Sequence, residues 1–439
     1  MRMKTKYLVC IIFSCSICVN AASAANWYVR PSGGSGSGTN WNTAWNGFNN
    51  VNWSSVSCGD TIWVAGGNYS GDLTPAKSCS AANTLALRRA RGDSVECTGA
   101  AGWNASYDST VRQVQAGIGF DSNSSYVIIS GRTTASGGNH GWLIDYTGLT
   151  GGAGIYYGHQ RTNTYSTIEY MDLQGPGNIT YSSDGRAIDN TPYQGDSSGA
   201  TFSHLKIWGW ESGAYQVYSG NAIYDHIEMF DIGAANWADY HPNGIYTSGA
   251  NDVTVRYSKF HKGPNGNGCG EGIFFEQSGG SSNWKIYGNV FYDLDYSGLK
   301  ALNIASLAAN IKIFNNTFDN ILIPLYKTEA GCTSGAETRN NLFYASSPEN
   351  CGTMTNNLVI SSSPNPFVNR GTHDYHIVST TGTNYPRNAG AVLTQDGYIN
   401  YDIDGKQRGA DGAWDIGAYE YGSSDTSSPA GVRGVRIAQ

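Results

Sequence analysis

Six-residue stretches that are apolar at both ends, Thr338 excepted, and more polar between recur along this chain. They run from Ile168, Phe202, Tyr224, Val255, Ile286, Ile313 and Thr338 to Leu173, Ile207, Met229, Phe260, Phe291, Phe318 and Phe343. Their starts lie 34, 22, 31, 31, 27 and 25 residues apart, and each is followed by a turn region rich in Gly, Asn, Asp or Ser. One such stretch cannot bury its own apolar positions, so the pattern predicts a solenoid in which each turn of chain stacks on the next. An all-β fold follows, since helix-period stretches are hard to find beyond the first residues.

A second strand is predicted in each coil after a Gly or Pro. These strands are Gly213-Ala214-Tyr215, Gly244-Ile245-Tyr246, Gly272-Ile273-Phe274, Gly298-Leu299-Lys300 and Pro324-Leu325-Tyr326. Ala214, Ile245, Ile273, Leu299 and Leu325 are uniformly apolar and point inward. Strand alternation then sends Tyr215, Tyr246, Phe274, Lys300 and Tyr326 outward as one column. Exposed aromatic rings in a column can offer their faces to sugar rings, or can be covered by the long loops that precede each strand.

Other columns read as structural. Asn289, Asn316 and Asn341 share the fourth position of their stretches, where amides can bond from coil to coil. Asp172, Lys206, Glu228 and Lys259 alternate in charge, as do Asp225 and Arg256. At about 4.8 Å between coils these predict cross-strand ion pairs on a solvated face.

Composition adds the compartment. Arg2, Lys4 and Lys6 precede an apolar stretch from Tyr7 to Val19 and the small residues Ala22-Ser23-Ala24, the pattern of an export leader over 1–24. The apolar stretch is too short to span a bilayer, although Cys15 or Cys18 leave lipidation open. No later stretch is long enough either, so a secreted, monomeric protein off the membrane is expected. The chain carries 27 Lys and Arg against 34 Asp and Glu, a net charge of −7, and loss of the leader brings it to −10. That acidity argues against nucleic acid as a partner. The six remaining cysteines, Cys58, Cys79, Cys97, Cys269, Cys332 and Cys351, suit an oxidising compartment. Cys332 and Cys351 lie in successive turn regions where a disulfide could form, and no Cys-x-x-Cys spacing suggests zinc.

The opening residues Trp27-Tyr28-Val29-Arg30-Pro31, the Gly/Ser run from Ser32 to Thr39, and Gly59-Asp60-Thr61-Ile62-Trp63-Val64 resemble the start of secreted right-handed parallel β-helix proteins of the pectate-lyase-like superfamily. Tyr401-Asp402-Ile403-Asp404-Gly405 and Asp415-Ile416-Gly417-Ala418-Tyr419-Glu420 resemble their closing motif. The resemblance implies an N-terminal cap and first coils over 25–101, helix coils over 102–360, last coils and a C-terminal cap over 361–422, and a tail from 423. The Asp-x-Asp-Gly segment reads as cap and not as a calcium loop, because the twelfth position lacks Glu.

Chemistry-bearing residues gather in the loops entering the second strands. Asp239, His241 and Asn243 enter one coil, Glu271 and Glu276 flank the next, and Lys300 follows. His241-Pro242-Asn243-Gly244-Ile245 resembles a His-Pro-Asp-Gly-Ile segment of β-helix proteins acting on polysaccharides, with Asn243 in place of the acid. The Gly-His-Gly and Arg-Ile-Lys motifs of polygalacturonase-type hydrolases are absent. Three readings follow. In a lyase cleaving a uronic-acid polysaccharide by β-elimination, Lys300 or His241 is the base and Tyr246 or His241 the acid, with Ca²⁺ held by Asp239, Glu271 and Glu276. In a glycoside hydrolase, two of Asp239, Glu271 and Glu276 act as a carboxylate pair. In a non-catalytic reading, Tyr215, Tyr246, Phe274, Tyr326 and Asn243 only bind a glycan.

Overall fold

A computed structural model describes residues 24–423, apart from 159, 178–184, 193–194, 234–241, 266–268, 277–278, 295–299, 305–306, 329–331, 333–334 and 394–398. Residues 1–23 of the expected leader and the tail from 424 lie outside the described residues.

The chain winds as a right-handed parallel β-helix whose coils present three strand ladders. The first ladder stacks Thr254–Arg256, Lys285–Tyr287, Lys312–Phe314, Glu337–Arg339 and Thr353–Thr355 in parallel register. The second stacks Lys259–His261, Val290–Tyr292, Thr317–Asp319, Leu342–Tyr344 and Leu358–Ile360. In earlier coils the two are continuous, as the eight-residue strands Thr167–Gln174, Thr201–Trp208 and Ile223–Phe230. The third ladder is a separate parallel sheet of eight strands, from Ile118–Phe120 to Ile323–Lys327.

The bend between the first two ladders is a column of left-handed residues. Tyr170, His204, His226, Tyr257, Asn315 and Asn340 have φ of 57, 52, 54, 52, 51 and 55°, and Gly288 joins them at 66°. Asn and Gly adopt this conformation readily, while Tyr and His are held in it by ring stacking down the column. Tyr170 stacks on His204 at 4.4 Å and His204 on His226 at 4.7 Å. The next residue at each late corner is the expected asparagine ladder. Asn289 Nδ2 donates to Asn316 Oδ1, Asn316 Nδ2 to Asn341 Oδ1, and Asn341 Nδ2 to Asn357 Oδ1, each at 3.0 Å. The same Nδ2 groups also reach backbone carbonyls, such as that of Val255 at 2.9 Å, so buried corner backbone is satisfied.

The core fills with aligned side chains. Phe260, Phe291, Phe318 and Phe343 stack at 4.9, 5.1 and 4.9 Å, and all are fully buried. The alternating charge column keeps the expected register, and Lys206 faces Glu228 at 3.7 Å with both half exposed. Asp225 and Arg256 depart from the expected solvated face. Their pair, at 2.9 Å, is only 15% and 17% exposed, because the C-terminal segment roofs it and the Ile403 carbonyl lies 3.3 Å from His226 Nε2. Despite the opposing effect of burial, His226 and Arg256 hold the Asp225 carboxyl far below the usual carboxylate range.

Cys332 pairs with Cys351 as expected and Cys58 with Cys79, whereas Cys97 and Cys269 are buried thiols. The Asp-x-Asp-Gly loop is held by its own amides. Asp402 Oδ1 accepts from the amides of Asp404 and Lys406 at 3.0 and 2.7 Å, and Glu420 Oε1 accepts from Arg408 Nη1 and the Asp415 amide. Asp411, Asp415 and Glu420 approach one another closely, yet Arg387, backbone amides and Arg408 already occupy them. No helix among the described residues is long and apolar enough to cross a membrane, a statement that does not bear on β-barrels.

Candidate active site

The third ladder carries the predicted residues that are described, with one change of register. Tyr215, Tyr246 and Phe274 form one column as expected. The residue below Phe274 is Asn303, followed by Tyr326. Lys300 therefore does not interrupt the aromatic column; it lies three residues earlier on its strand. The inward column correspondingly runs through Leu302, fully buried, in the place expected of Leu299. Above, the column continues through Asp189 to Tyr156.

Two adjacent residues in each coil face the core here. A Cβ on Gly272 would stand 2.8 Å from the Ala301 carbonyl and 2.9 Å from the Phe291 ring, which leaves room for glycine. The residue before it is thereby returned to the outer surface. Glu271 and Lys300, which begin their strands, reach across to the Asn303 and Tyr326 column.

Those four side chains converge. Lys300 Nζ lies 3.4 Å from Glu271 Oε1 and 3.9 Å from the centre of the Tyr326 ring. Asn303 Nδ2 donates to the same Glu271 oxygen at 2.8 Å. Glu271 is 6% exposed, and its other oxygen, Oε2, is buried without a hydrogen-bond partner among the described residues. An acceptor left open at such burial is costly, and such costs concentrate at working sites. Asn243 is paired with Glu271 in register and is more deeply buried, at 1% exposed.

A second cation sits at the other end of the aromatic run, and the sequence reading missed it. Arg186 lies 3.9 Å above the Tyr215 ring and donates from Nη1 to Asp189 Oδ2 at 2.7 Å. The arrangement repeats that of Lys300, Tyr326 and Glu271 four coils away, roughly 19 Å along the axis. Gly185-Arg186-Ala187-Ile188 escaped notice because alanine fills the small inward position that glycine fills in other coils.

The rings do not present their faces to solvent. Tyr215 is covered by Arg186 on one side and by Tyr246, stacked at 4.7 Å, on the other. Tyr246 meets Phe274 at 5.7 Å, tilted by 48°. This surface therefore offers ring edges and hydroxyls. Burial, then the nearby Glu276, pushes the Tyr246 hydroxyl up to about 12, so it is a proton donor at neutral pH.

Glu276 stands past the opposite end of the Glu271 strand, where Ser248 Oγ donates to it at 3.5 Å. Five residues of extended chain put their Cα atoms roughly 16 Å apart. The two carboxylates cannot share one Ca²⁺, whose ligands all lie within about 2.6 Å of the ion. Lys300 and Asn303 also already occupy one Glu271 oxygen. The described residues do not fit the expected calcium site. Asp239 and His241 lie outside the described residues.

A cavity of about 540 Å³ lies elsewhere, against the second ladder, lined by Lys262, Asp293, Asn320 and His373 among others. Its Asp293 is already engaged by Asn320 Nδ2 at 2.6 Å and His373 Nε2 at 3.1 Å.

No protein-family model matches the chain, and no curated protein matches it by sequence. Among solved structures it is similar to pectate lyase Pel9A, with 14% identity, a TM-score of 0.53, and coverage of 91% of this chain and 97% of that one. An alginate lyase from Paenibacillus sp. str. FPU-7 aligns at 13% identity and a TM-score of 0.41, covering 71% of this chain and 91% of that one. A rhamnogalacturonan lyase aligns at 11% and 0.39, covering 92% and 97%. The first likeness establishes the parallel β-helix fold.

Proposed function

We propose that this protein is a secreted polysaccharide lyase that cleaves a uronic-acid-containing polymer by β-elimination along the outer surface of the third ladder. The observation that carries the reading is the Lys300, Glu271 and Asn303 cluster, where a paired cation stands beside a buried carboxylate oxygen without a hydrogen-bond partner among the described residues. The fold it shares with a pectate lyase adds support.

The roles follow from contacts. Lys300 is ion-paired and lies on a ring, both contacts that a charged ammonium makes, so we assign it to neutralise the sugar carboxylate rather than to abstract a proton. Neutralisation acidifies the proton at C5. Once the side chains that bury it move aside, Glu271 Oε2 takes that proton, the C4–O bond breaks as the C4=C5 bond forms, and the Tyr246 hydroxyl protonates the departing oxygen. Arg186 binds a second carboxylate further along the polymer. Two cations roughly 19 Å apart suit a polyanion better than a neutral glycan.

Hydrolysis is less well supported by the predicted carboxylates. Glu271 turns to Lys300 and Asn303 while Glu276 turns to Ser248 past the other end of the strand, so the two are not aimed at one another as the roughly 5–10 Å of either hydrolytic geometry would need. Incubation with pectate, alginate and a neutral glycan tests the reading. Gain of ultraviolet absorbance on an acidic polymer supports it, while binding without any cleavage would leave a glycan-binding protein.

A further inference from the structure

Asp60 gathers three donors at the start of the fold. Its Oδ1 accepts the Ala25 amide, and its Oδ2 accepts Trp27 Nε1 and the Ser57 amide, each at 2.8 Å. Asp60 is 4% exposed, and among the described residues no Lys, Arg or His side chain pairs with it. A buried carboxylate held only by neutral donors is expensive, because nothing offsets its lost hydration with opposite charge.

The amide at Oδ1 belongs to the residue directly after Ala22-Ser23-Ala24, the small-residue pattern of leader cleavage. We propose that cleavage between Ala24 and Ala25 completes this site by supplying the missing cation. A peptidase adds water across that amide, leaving a carboxylate on Ala24 and an α-ammonium on Ala25. The nitrogen already 2.8 Å from Asp60 then carries a positive charge, and a neutral hydrogen bond becomes a largely buried ion pair.

The pair latches the N-terminal cap. Strand Asn26–Arg30 starts one residue on and lies parallel to Thr61–Val64, with Asn26 opposite Thr61. The Thr61 amide donates to the Ala25 carbonyl at 2.9 Å, and the Trp27 ring stacks on Trp45 at 5.2 Å. Fixing the chain end at Asp60 therefore fixes the strand that covers the first coil. Maturation and cap stability become linked: the processed chain is the more stable form, whatever the third ladder binds.

The test compares a chain beginning at Ala25 with one beginning Met-Ala24, each with Asp60 and with Asp60→Asn. The Ala25 chain is expected to melt on the order of 2 °C or more higher, and Asp60→Asn should abolish the difference. Its α-amino group should also react with an amine-acylating reagent at least tenfold more slowly in the native state than that of the longer chain. Should Asp60→Asn fail to fold, melting and labelling of the two Asp60 chains decide. Equal melting temperatures together with equal labelling rates would overturn the proposal.

Discussion

The Lys300 ammonium stands 3.4 Å from Glu271 Oε1, linking two adjacent coils on the outer surface of the third ladder. Both side chains are mostly buried, at 19% and 7% exposed. Lys300→Ala leaves Glu271 as a buried anion held by Asn303 alone. Turnover on an acidic polymer should fall by about 10²-fold or more, with a loss of stability of about 3 kcal/mol. Lys300→Arg, which keeps the charge, should recover part of both. Initial rates and chemical denaturation of the three proteins check this.

Arg186→Ala should weaken binding of long acidic polymers more than it lowers kcat on short ones, since Arg186 sits three coils from Glu271 and two from Tyr246. The salt dependence of binding should flatten at the same time, because one cation contact is lost. A titration series over ionic strength measures both; an unaltered slope would remove Arg186 from the substrate path.

Much of this was legible in the sequence. The coil repeat, the asparagine ladder and the Cys332–Cys351 pair follow from spacing, because one-dimensional stacking puts equivalent positions above one another. The register of the third ladder did not follow. Gly298-Leu299-Lys300 and Ala301-Leu302-Asn303 both read small, apolar, polar, and alternation alone cannot choose between them. The three-residue difference moves Lys300 beside Glu271 and puts Asn303 below Phe274. Ring stacking was also invisible: the pattern gave outward aromatic positions but not that each ring covers the next.

The asparagine ladder makes a stability prediction. Asn316 Oδ1 accepts the Asn289 amide and side chain, while its Nδ2 reaches Asn341 and the Ile286 carbonyl. Asn316→Ala should cost about 2–4 kcal/mol, because buried backbone and side-chain partners on both neighbouring coils lose their bonds. The midpoint of urea unfolding reads this directly.

His376 gives a pH dependence. A hydrogen bond to Asp404 at 2.7 Å, aided by Asp374 and opposed by burial, pushes the imidazole up to about 9. The charged form is the one that is bonded. Its contribution to stability is complete below the ordinary value near 6.5 and is lost as pH rises through about 9. Unfolding free energies between pH 6 and 10 should show that loss, and His376→Gln should flatten it.

Breaking the Cys332–Cys351 bond, which closes a loop of 19 residues, should cost about 3 kcal/mol. A Cys332→Ser, Cys351→Ser protein should melt lower yet keep its activity, since neither cysteine contacts Glu271, Lys300 or Asn303 among the described contacts.

Elimination at the Glu271 and Lys300 pair is tested by parallel recording of ultraviolet absorbance and reducing ends on a polyuronate. Both should rise together in the native protein, and both should stop in Glu271→Gln. Reducing ends without absorbance, or full activity in Glu271→Gln, would contradict it.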